Sequence, residues 1–338
     1  MENTKKVVVS GITATGKLTI GNYIGAIKSF IELQENNELY IFVANMHAIV
    51  NPIDSAELKR NTLDIAALYL ACGLDNNKAS IFIQSDVHEH AELGHMMLCL
   101  STMGELNRMT QFKDKSQKSI TKNGTESIPT GLFTYPTLMA GDILLYQPDL
   151  VPVGRDQKQH IELTQELAKR FNKRFGKTFK EFNHFIPKNG AKIMSLVDPS
   201  KKMSKSDENQ MSSIYLLDDL QKAHKKIMSA ITDNENKVLY DIENKPGVSN
   251  LITIYANLTN KSINEIIELY SNKGYKEFKT DLADIVVKFL EKLQNKFNEF
   301  RKEETINKIL NDGAIHASER ASKTLQLAKE RMGLNRHG

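Results

Sequence analysis

Four short apolar runs punctuate the first half of the chain: Val7-Val8-Val9-Ser10, which ends at Gly11, then Leu39–Val43, Ser80–Ile83 and Leu150–Val153. Continuous apolar runs of this length, bounded by turn residues, suit strands buried on both faces of a parallel sheet. The intervening segments change period. Leu63, Ala66, Ala67 and Leu70 fall on one helical face, with Gly73 placed to end the helix. Asp156 and Gln159 have the spacing of a helix cap ahead of Ile161, Leu163, Thr164 and Leu167. Strands alternating with helices predict an α/β fold, a Rossmann-like doubly wound parallel sheet. Residues 110–130 are polar and lysine-rich with an Asn123-Gly124 turn signal, and a mobile surface loop is expected near 113–130. After about Ser212 the strand signal fades, and Thr305–Arg331 keeps apolar residues at helical spacing. The expected division is a sheet domain over 1–200, a lysine-rich loop over 201–207 and a mostly helical domain over 208–338, whose last helix packs back on the first.

Composition narrows the class without choosing a function. A chain of 338 residues exceeds one compact core and suits two domains. No apolar run approaches the ~20 residues of a membrane span, and no membrane partner is expected. The polar N-terminus leads directly into the first strand-like run, so no signal peptide is expected, and the protein is read as cytoplasmic. Cys72 and Cys99 match no metal or redox spacing and are read as buried thiols. A net charge of +4 permits nucleic-acid binding but does not argue for it.

Two segments carry candidate chemistry. Lys202-Met203-Ser204-Lys205-Ser206 places two lysines three positions apart at the junction of the two halves. Mobile ammonium groups on a loop can follow a departing pyrophosphate and stabilise charge that develops in a transition state. By itself the run is better read as a solvated basic loop. Gly11–Leu18 nearly matches a P-loop, but Leu18 stands where a hydroxyl should meet magnesium, so a P-loop NTPase is the weaker reading. Thr19-Ile20-Gly21-Asn22 opens the following helix, where free N–H groups can receive phosphate and Gly21 allows close approach; an ordinary capped helix explains it as well.

Taken together, the two segments resemble the paired signatures of the class I aminoacyl-tRNA synthetases. Thr19–Asn22 is similar to that class's His-Ile-Gly-His, and Lys202–Ser206 matches its lysine signature throughout. Further blocks are similar to the tryptophan-activating branch of the class: Gly104-Glu105-Leu106 with Met109–Lys113, Tyr135-Pro136 with Leu138-Met139-Ala140, Asp142–Tyr146, Val151–Gly154, Asp156–Thr164, Lys245-Pro246-Gly247 and Met332-Gly333-Leu334.

The resemblance implies ATP with Mg²⁺ as cosubstrate, L-tryptophan and tRNA(Trp) as substrates, and a homodimer, with the metal carried by ATP rather than by the protein. It assigns Asp142 to the indole N–H, Tyr135 and Met139 to the walls of the pocket, and His47 and Gln157 to the amino acid. Thr13, Ala14, Thr15, Gly21, Asn22, Gly154, Arg155, Asp156, Ile193 and Lys202 to Ser206 (through Met203, Ser204 and Lys205) fall to ATP. Thr19, Asn22, Lys202, Lys205 and Lys115 are the catalytic assignments, and the helical half is implied to read the anticodon. Three positions depart from the usual pattern: Arg155 where an acidic residue is common, Thr13-Ala14-Thr15 in place of Gln-Pro-Ser, and Asn45 in place of aspartate.

Three rivals stay open at this level. A tyrosine-specific enzyme shares both signatures. A small-molecule adenylating ligase would not need the long helical half. An inactive RNA-binding relative would be expected to lose signature residues, yet Gly21, Lys202 and Lys205 are all present.

Overall fold

The computed structural model describes residues 5–116, 128–185, 192–205 and 207–336, without the side chains of Lys115 and Arg155. Ser206, most of the polar segment near 113–130 and the Lys115 and Arg155 side chains therefore lie outside the described residues.

Five strands form one parallel sheet: β1 (Lys6–Thr13), β2 (Asn37–Ala44), β3 (Ala79–Ile83), β4 (Leu150–Pro152) and β5 (Asn183–Phe185), in the order β3-β2-β1-β4-β5. The four expected strands are present. The fifth, with only Phe185 half-buried among three residues, is too polar for an apolar-run criterion to find. Neighbouring residues of β1 serve opposite faces: Val8 joins one apolar cluster, while Val7 and Val9 join the other. The first cluster continues through the Ser55–Cys72 helix into the helical half at Leu251, Phe278 and Leu290. The second is covered by the helices Glu89–Leu100, Thr130–Leu144 and Lys158–Phe175. Burial on both faces explains why the strands read as continuous apolar runs.

Gly73 ends the Ser55–Cys72 helix as expected, at φ +121°. Other expectations need correction. Asp156 does not cap the Lys158–Phe175 helix: it lies within a short 3₁₀ turn, Arg155–Gln157, and Gln157 holds the cap position without a side-chain bond. Residues Thr110–Ser116 are helical rather than loop, because the turn before them is anchored by Gln159, whose side chain accepts from the Thr110 N–H and donates to the Arg108 carbonyl. Cys99 is exposed, so it is not the buried thiol expected; Cys72 is half-buried as a residue, but burial raises its thiol well above the ordinary range.

The last helix, Glu303–Met332, lies along the sheet edge at β3. A Cβ on Gly313 would fall 2.0 Å from the Ile81 carbonyl oxygen, so only glycine permits this approach. Ser80 Oγ meets His316 Nδ1 at 2.6 Å, and Arg320 Nε donates to the Tyr146 carbonyl at 2.7 Å. Among the described residues no helix is long and apolar enough to cross a membrane.

Candidate active site

The strand order reverses between β1 and β4, and a cavity of about 820 Å³ opens at the carboxyl ends of these strands. Such a switch point is where ligands bind in open α/β sheets, since the loops there diverge. Gly11, Thr13 and Thr15 line it from the end of β1, Gly154, Asp156 and Gln157 from the end of β4, and Ser204 and Lys205 close one side. Gln111, His47, Tyr135, Met139 and Asp142 line the rest.

Tyr135, Met139 and Asp142 present one face of the Thr130–Leu144 helix, as their spacing of four and three requires. Asp142 is 1% exposed, and its carboxylate accepts three hydrogen bonds. Oδ1 accepts from Gln84 Nε2 at 2.8 Å and from His90 Nδ1 at 2.7 Å; Oδ2 accepts from His47 Nε2 at 2.7 Å. Burial pushes this carboxyl up, but the charge and hydrogen bonds of His47, and then those of His90, outweigh it and hold the group at about 2. Asp142 is thus an ionised acceptor in an otherwise apolar wall. His47 follows β2 and Gln84 follows β3, so the ends of two strands meet at this one carboxylate.

Close packing sets that meeting. A Cβ on Gly141 would lie 2.6 Å from the Gly94 backbone nitrogen, and one on Gly94 would lie 3.0 Å from Leu138. Glycine at both positions lets the Glu89–Leu100 and Thr130–Leu144 helices approach until His90 reaches Asp142. The Tyr135 hydroxyl lies 2.7 Å from His160 Nε2 and donates to Gln111 Oε1 at 3.3 Å; burial first, and Asp156 second, push it up to about 12.

At the other end, Lys205 Nζ crosses the cavity wall to the Thr13 carbonyl. Burial brings this ammonium down to about 8. Among the described residues no carboxylate is in ion-pair contact with it, although Asp114 and Asp156 line the same cavity. The lysine segment forms a small antiparallel hairpin: Met194 bridges Lys202, and the Met203 N–H donates to the Ile193 carbonyl at 2.9 Å. Asn250, from the helical half, exchanges two hydrogen bonds with the backbone of Met194. Ile193 and Met203 pack under Gly21, where a Cβ would meet them at 3.5 and 3.6 Å. The two signature segments are therefore in contact.

Thr19 and Asn22 open the short helix Ile20–Asn22. They cap each other: the Thr19 N–H donates to Asn22 Oδ1 at 2.9 Å, and the Asn22 N–H donates to Thr19 Oγ1 at 3.3 Å. The Ile20 N–H is taken by the Ile214 carbonyl. Neither side chain lines the cavity, nor do Ala14, Gly21, Ile193, Lys202 or Met203. Ala14 is fully buried and Lys202 is exposed beside the hairpin. Gly154 and Asp156 are adjacent, and Gln157 Nε2 donates to Asp156 Oδ2 at 2.9 Å.

Sequence reasoning missed Gln84 and His90 altogether, and gave Tyr146 no role although it ends the Asp142–Tyr146 block. One signal was present: His90 falls on the buried stripe of Leu93, Gly94 and Met97, where a polar residue needs a polar partner.

The profile described as "tRNA synthetases class I (W and Y)" matches residues 1–291. The chain is 52% identical over 332 residues to the tryptophan–tRNA ligase of Bacillus subtilis, covering 98% of this chain and 99% of that one. It superposes on the crystal structure of tryptophanyl-tRNA synthetase from Mycoplasma pneumoniae with a TM-score of 0.91 at 43% identity, covering 98% of this chain and 99% of that one. The Campylobacter jejuni tryptophanyl-tRNA synthetase, solved with ADP and tryptophan, gives 0.82 at 32% identity, over 97% of this chain and 99% of that one. With its parallel sheet, its switch-point cavity and its two signature segments in contact, the chain belongs to the class I tRNA synthetases of the tryptophan and tyrosine group.

Proposed function

We propose that the protein is a tryptophan–tRNA ligase. It activates L-tryptophan with ATP to tryptophanyl-adenylate and pyrophosphate, then transfers the amino acid to the 3′ end of tRNA(Trp). The observation that carries this reading is the buried, ionised Asp142 in the wall of a cavity whose opposite side holds Lys205. A buried carboxylate favours a substrate that offers an N–H, and an unpaired ammonium favours a polyphosphate. The relatives at about half identity over nearly the whole chain are tryptophan–tRNA ligases, and one related structure holds ADP and tryptophan.

The chemistry requires no protein nucleophile. The tryptophan carboxylate, already anionic, attacks the α-phosphorus of ATP, and the bond to the β-phosphate oxygen breaks as pyrophosphate leaves. A ribose hydroxyl of the tRNA then attacks the adenylate carbonyl, and AMP departs. Positioning and charge stabilisation supply the rate. Tyr135, Met139 and Asp142 hold the indole; His47 acts through Asp142, and Gln157 lies at the amino-acid end. Thr13, Thr15, Gly154 and Asp156 flank ATP, with Ile193 and Met203 packed under Gly21. Lys205 neutralises the developing pyrophosphate, joined by Lys202 when the hairpin closes and by Mg²⁺ arriving with ATP. Thr19 and Asn22 reach the phosphates by exchanging their mutual bonds for bonds to the nucleotide. Lys115, Arg155 and Ser206 complete the phosphate and ribose side. The helical half receives the tRNA anticodon, the assembly is a homodimer, and the compartment is the cytoplasm.

ATP–pyrophosphate exchange measured across the amino acids tests this reading. Exchange with tryptophan alone is expected, and exchange with tyrosine alone would overturn it. The chain contains no tryptophan, so added tryptophan can also be followed by its own fluorescence.

A further inference from the structure

His90 is completely buried and bonded at both ring nitrogens: Nδ1 to Asp142 Oδ1 at 2.7 Å, Nε2 to the Tyr146 hydroxyl at 2.8 Å. Neither His90 nor Tyr146 lines the cavity. We infer that Tyr146 and His90 are positioning residues for substrate choice: the Tyr146 hydroxyl fixes the His90 tautomer that donates to Asp142, and so orients the Asp142 carboxylate toward an N–H-bearing aromatic ring in the cavity. The inference rests on the tryptophan reading above and deepens it.

The chemistry follows from the donor count. In its neutral form the His90 imidazole has one N–H and one lone pair, and the choice of tautomer arises only in that form. With the proton on Nε2, the Nδ1 lone pair would face a carboxylate oxygen at hydrogen-bond distance, which is repulsive. With the proton on Nδ1, Asp142 is served, and Nε2 needs a donor at a fully buried position. Tyr146 supplies it. Burial, with Asp142 next, pushes the Tyr146 hydroxyl well above its ordinary value, so it keeps its proton.

Tyr146 is itself immobilised. Its ring stacks on Tyr40 at 4.7 Å, and its carbonyl accepts from Arg320 of the last helix. Phe42 and Phe82 flank His90 with ring centroids at 5.3 and 5.9 Å and pack against the imidazole. Of the roughly four acceptor positions on a carboxylate, Gln84, His90 and His47 occupy three. The remaining position, on Oδ2, belongs to a residue that lines the cavity. A loose carboxylate could rotate to bond its neighbours alone. One anchored from behind must either receive a substrate N–H or stay short of a partner, and that difference is what separates substrates.

The test compares tryptophan with β-(benzothiophen-3-yl)alanine, which replaces the indole N–H by sulfur at nearly equal volume, in ATP–pyrophosphate exchange by the full-length protein. The parent should prefer tryptophan. Tyr146→Phe and His90→Leu should reduce that preference by roughly tenfold or more, through KM for tryptophan. KM for ATP and kcat should stay within about twofold. His90→Asn, which keeps an N–H donor near the Nδ1 position, should restore part of the preference. Tyr146→Phe removes one oxygen and keeps the ring, so the comparison stands even where His90→Leu fails to fold. An unchanged preference in folded Tyr146→Phe, or an equal loss toward both substrates, overturns the inference while leaving the tryptophan reading intact. A parent that exchanges with neither compound overturns both.

Discussion

Lys205 Nζ donates to the carbonyl of Thr13 over 3.2 Å, joining residues 192 positions apart across the mouth of the cavity. The bond ties the lysine hairpin to the end of the first strand. It is a weak neutral-acceptor contact for an ammonium, and a phosphate oxygen would replace it with a charge-assisted one. The same side chain thus joins the hairpin to the first strand and is available to the polyphosphate.

Lys205→Ala is expected to lower the rate of adenylate formation by roughly 10²–10³, as loss of one preorganised transition-state donor does elsewhere. Tryptophan affinity, set at the Asp142 end, should change little. Rapid-quench measurement of adenylate formation, paired with fluorescence titration of tryptophan, separates the two; equal losses in both would remove Lys205 from this role.

Lys205 should also give the stability a pH dependence. Burial lowers its folded-state value to about 8, beneath the value in the unfolded chain. Below about pH 8 both states carry the proton, and the full penalty of the buried ammonium is present. Above it the native state releases the proton while the unfolded state keeps it, so stability rises with pH from this group. Lys205→Met should therefore be the more stable protein at neutral pH, with the gap closing between about pH 8 and about pH 10. Urea unfolding of both proteins across that range provides the measurement.

Gly141→Ala should destabilise the fold by about 1–3 kcal/mol or more, because its methyl group meets backbone rather than a flexible side chain. The displaced atoms include Gly94 N and Cα and the His90 carbonyl, at 2.6, 2.8 and 3.1 Å from the new carbon. Whatever population folds should show a raised KM for tryptophan, since the helix carrying His90 must retreat from Asp142. Denaturant titration and exchange kinetics on one preparation would report both effects.

Lys226, 4% exposed, holds the Ser213 carbonyl at 2.8 Å and the Asp218 carboxylate at 2.6 Å. Ser213 Oγ in turn donates to the Ser204 carbonyl, and Gln294 from the Tyr275–Phe300 helix donates to the carbonyls of Leu216 and Asp218. Lys226→Met leaves Asp218 without its cation and should cost roughly 3–5 kcal/mol, as removing one member of a buried ion pair does. The double change Lys226→Met, Asp218→Leu should recover much of that loss in chemical denaturation. Both variants should show a raised KM for ATP, because the segment following the lysine hairpin then loses the bond at the Ser213 carbonyl and keeps those to Leu18, Ile20 and Gln294.

The sheet was legible from local pattern because strands buried on both faces must be apolar throughout, and Val7–Val9, Leu39–Val43 and Ser80–Ile83 declare that requirement without reference to distant residues. The helical half was legible for the same reason, through its 3.6-residue period. Signature segments such as Lys202–Ser206 were recognisable because phosphate chemistry restricts which residues can serve it. What local pattern could not supply is mutual arrangement. Asp142 is only one acidic residue of a recognisable block until His47, Gln84 and His90 converge on it from three other elements. Thr19 and Asn22 have the side chains of phosphate donors, yet reciprocal capping turns them toward each other. Lys205 becomes a perturbed, buried cation only when the hairpin folds onto Thr13. Periodicity and residue type follow from forces acting within a few neighbours along the chain; ionisation, desolvation and hydrogen-bond partnership depend on atoms brought together from far apart, and the tertiary fold alone decides them.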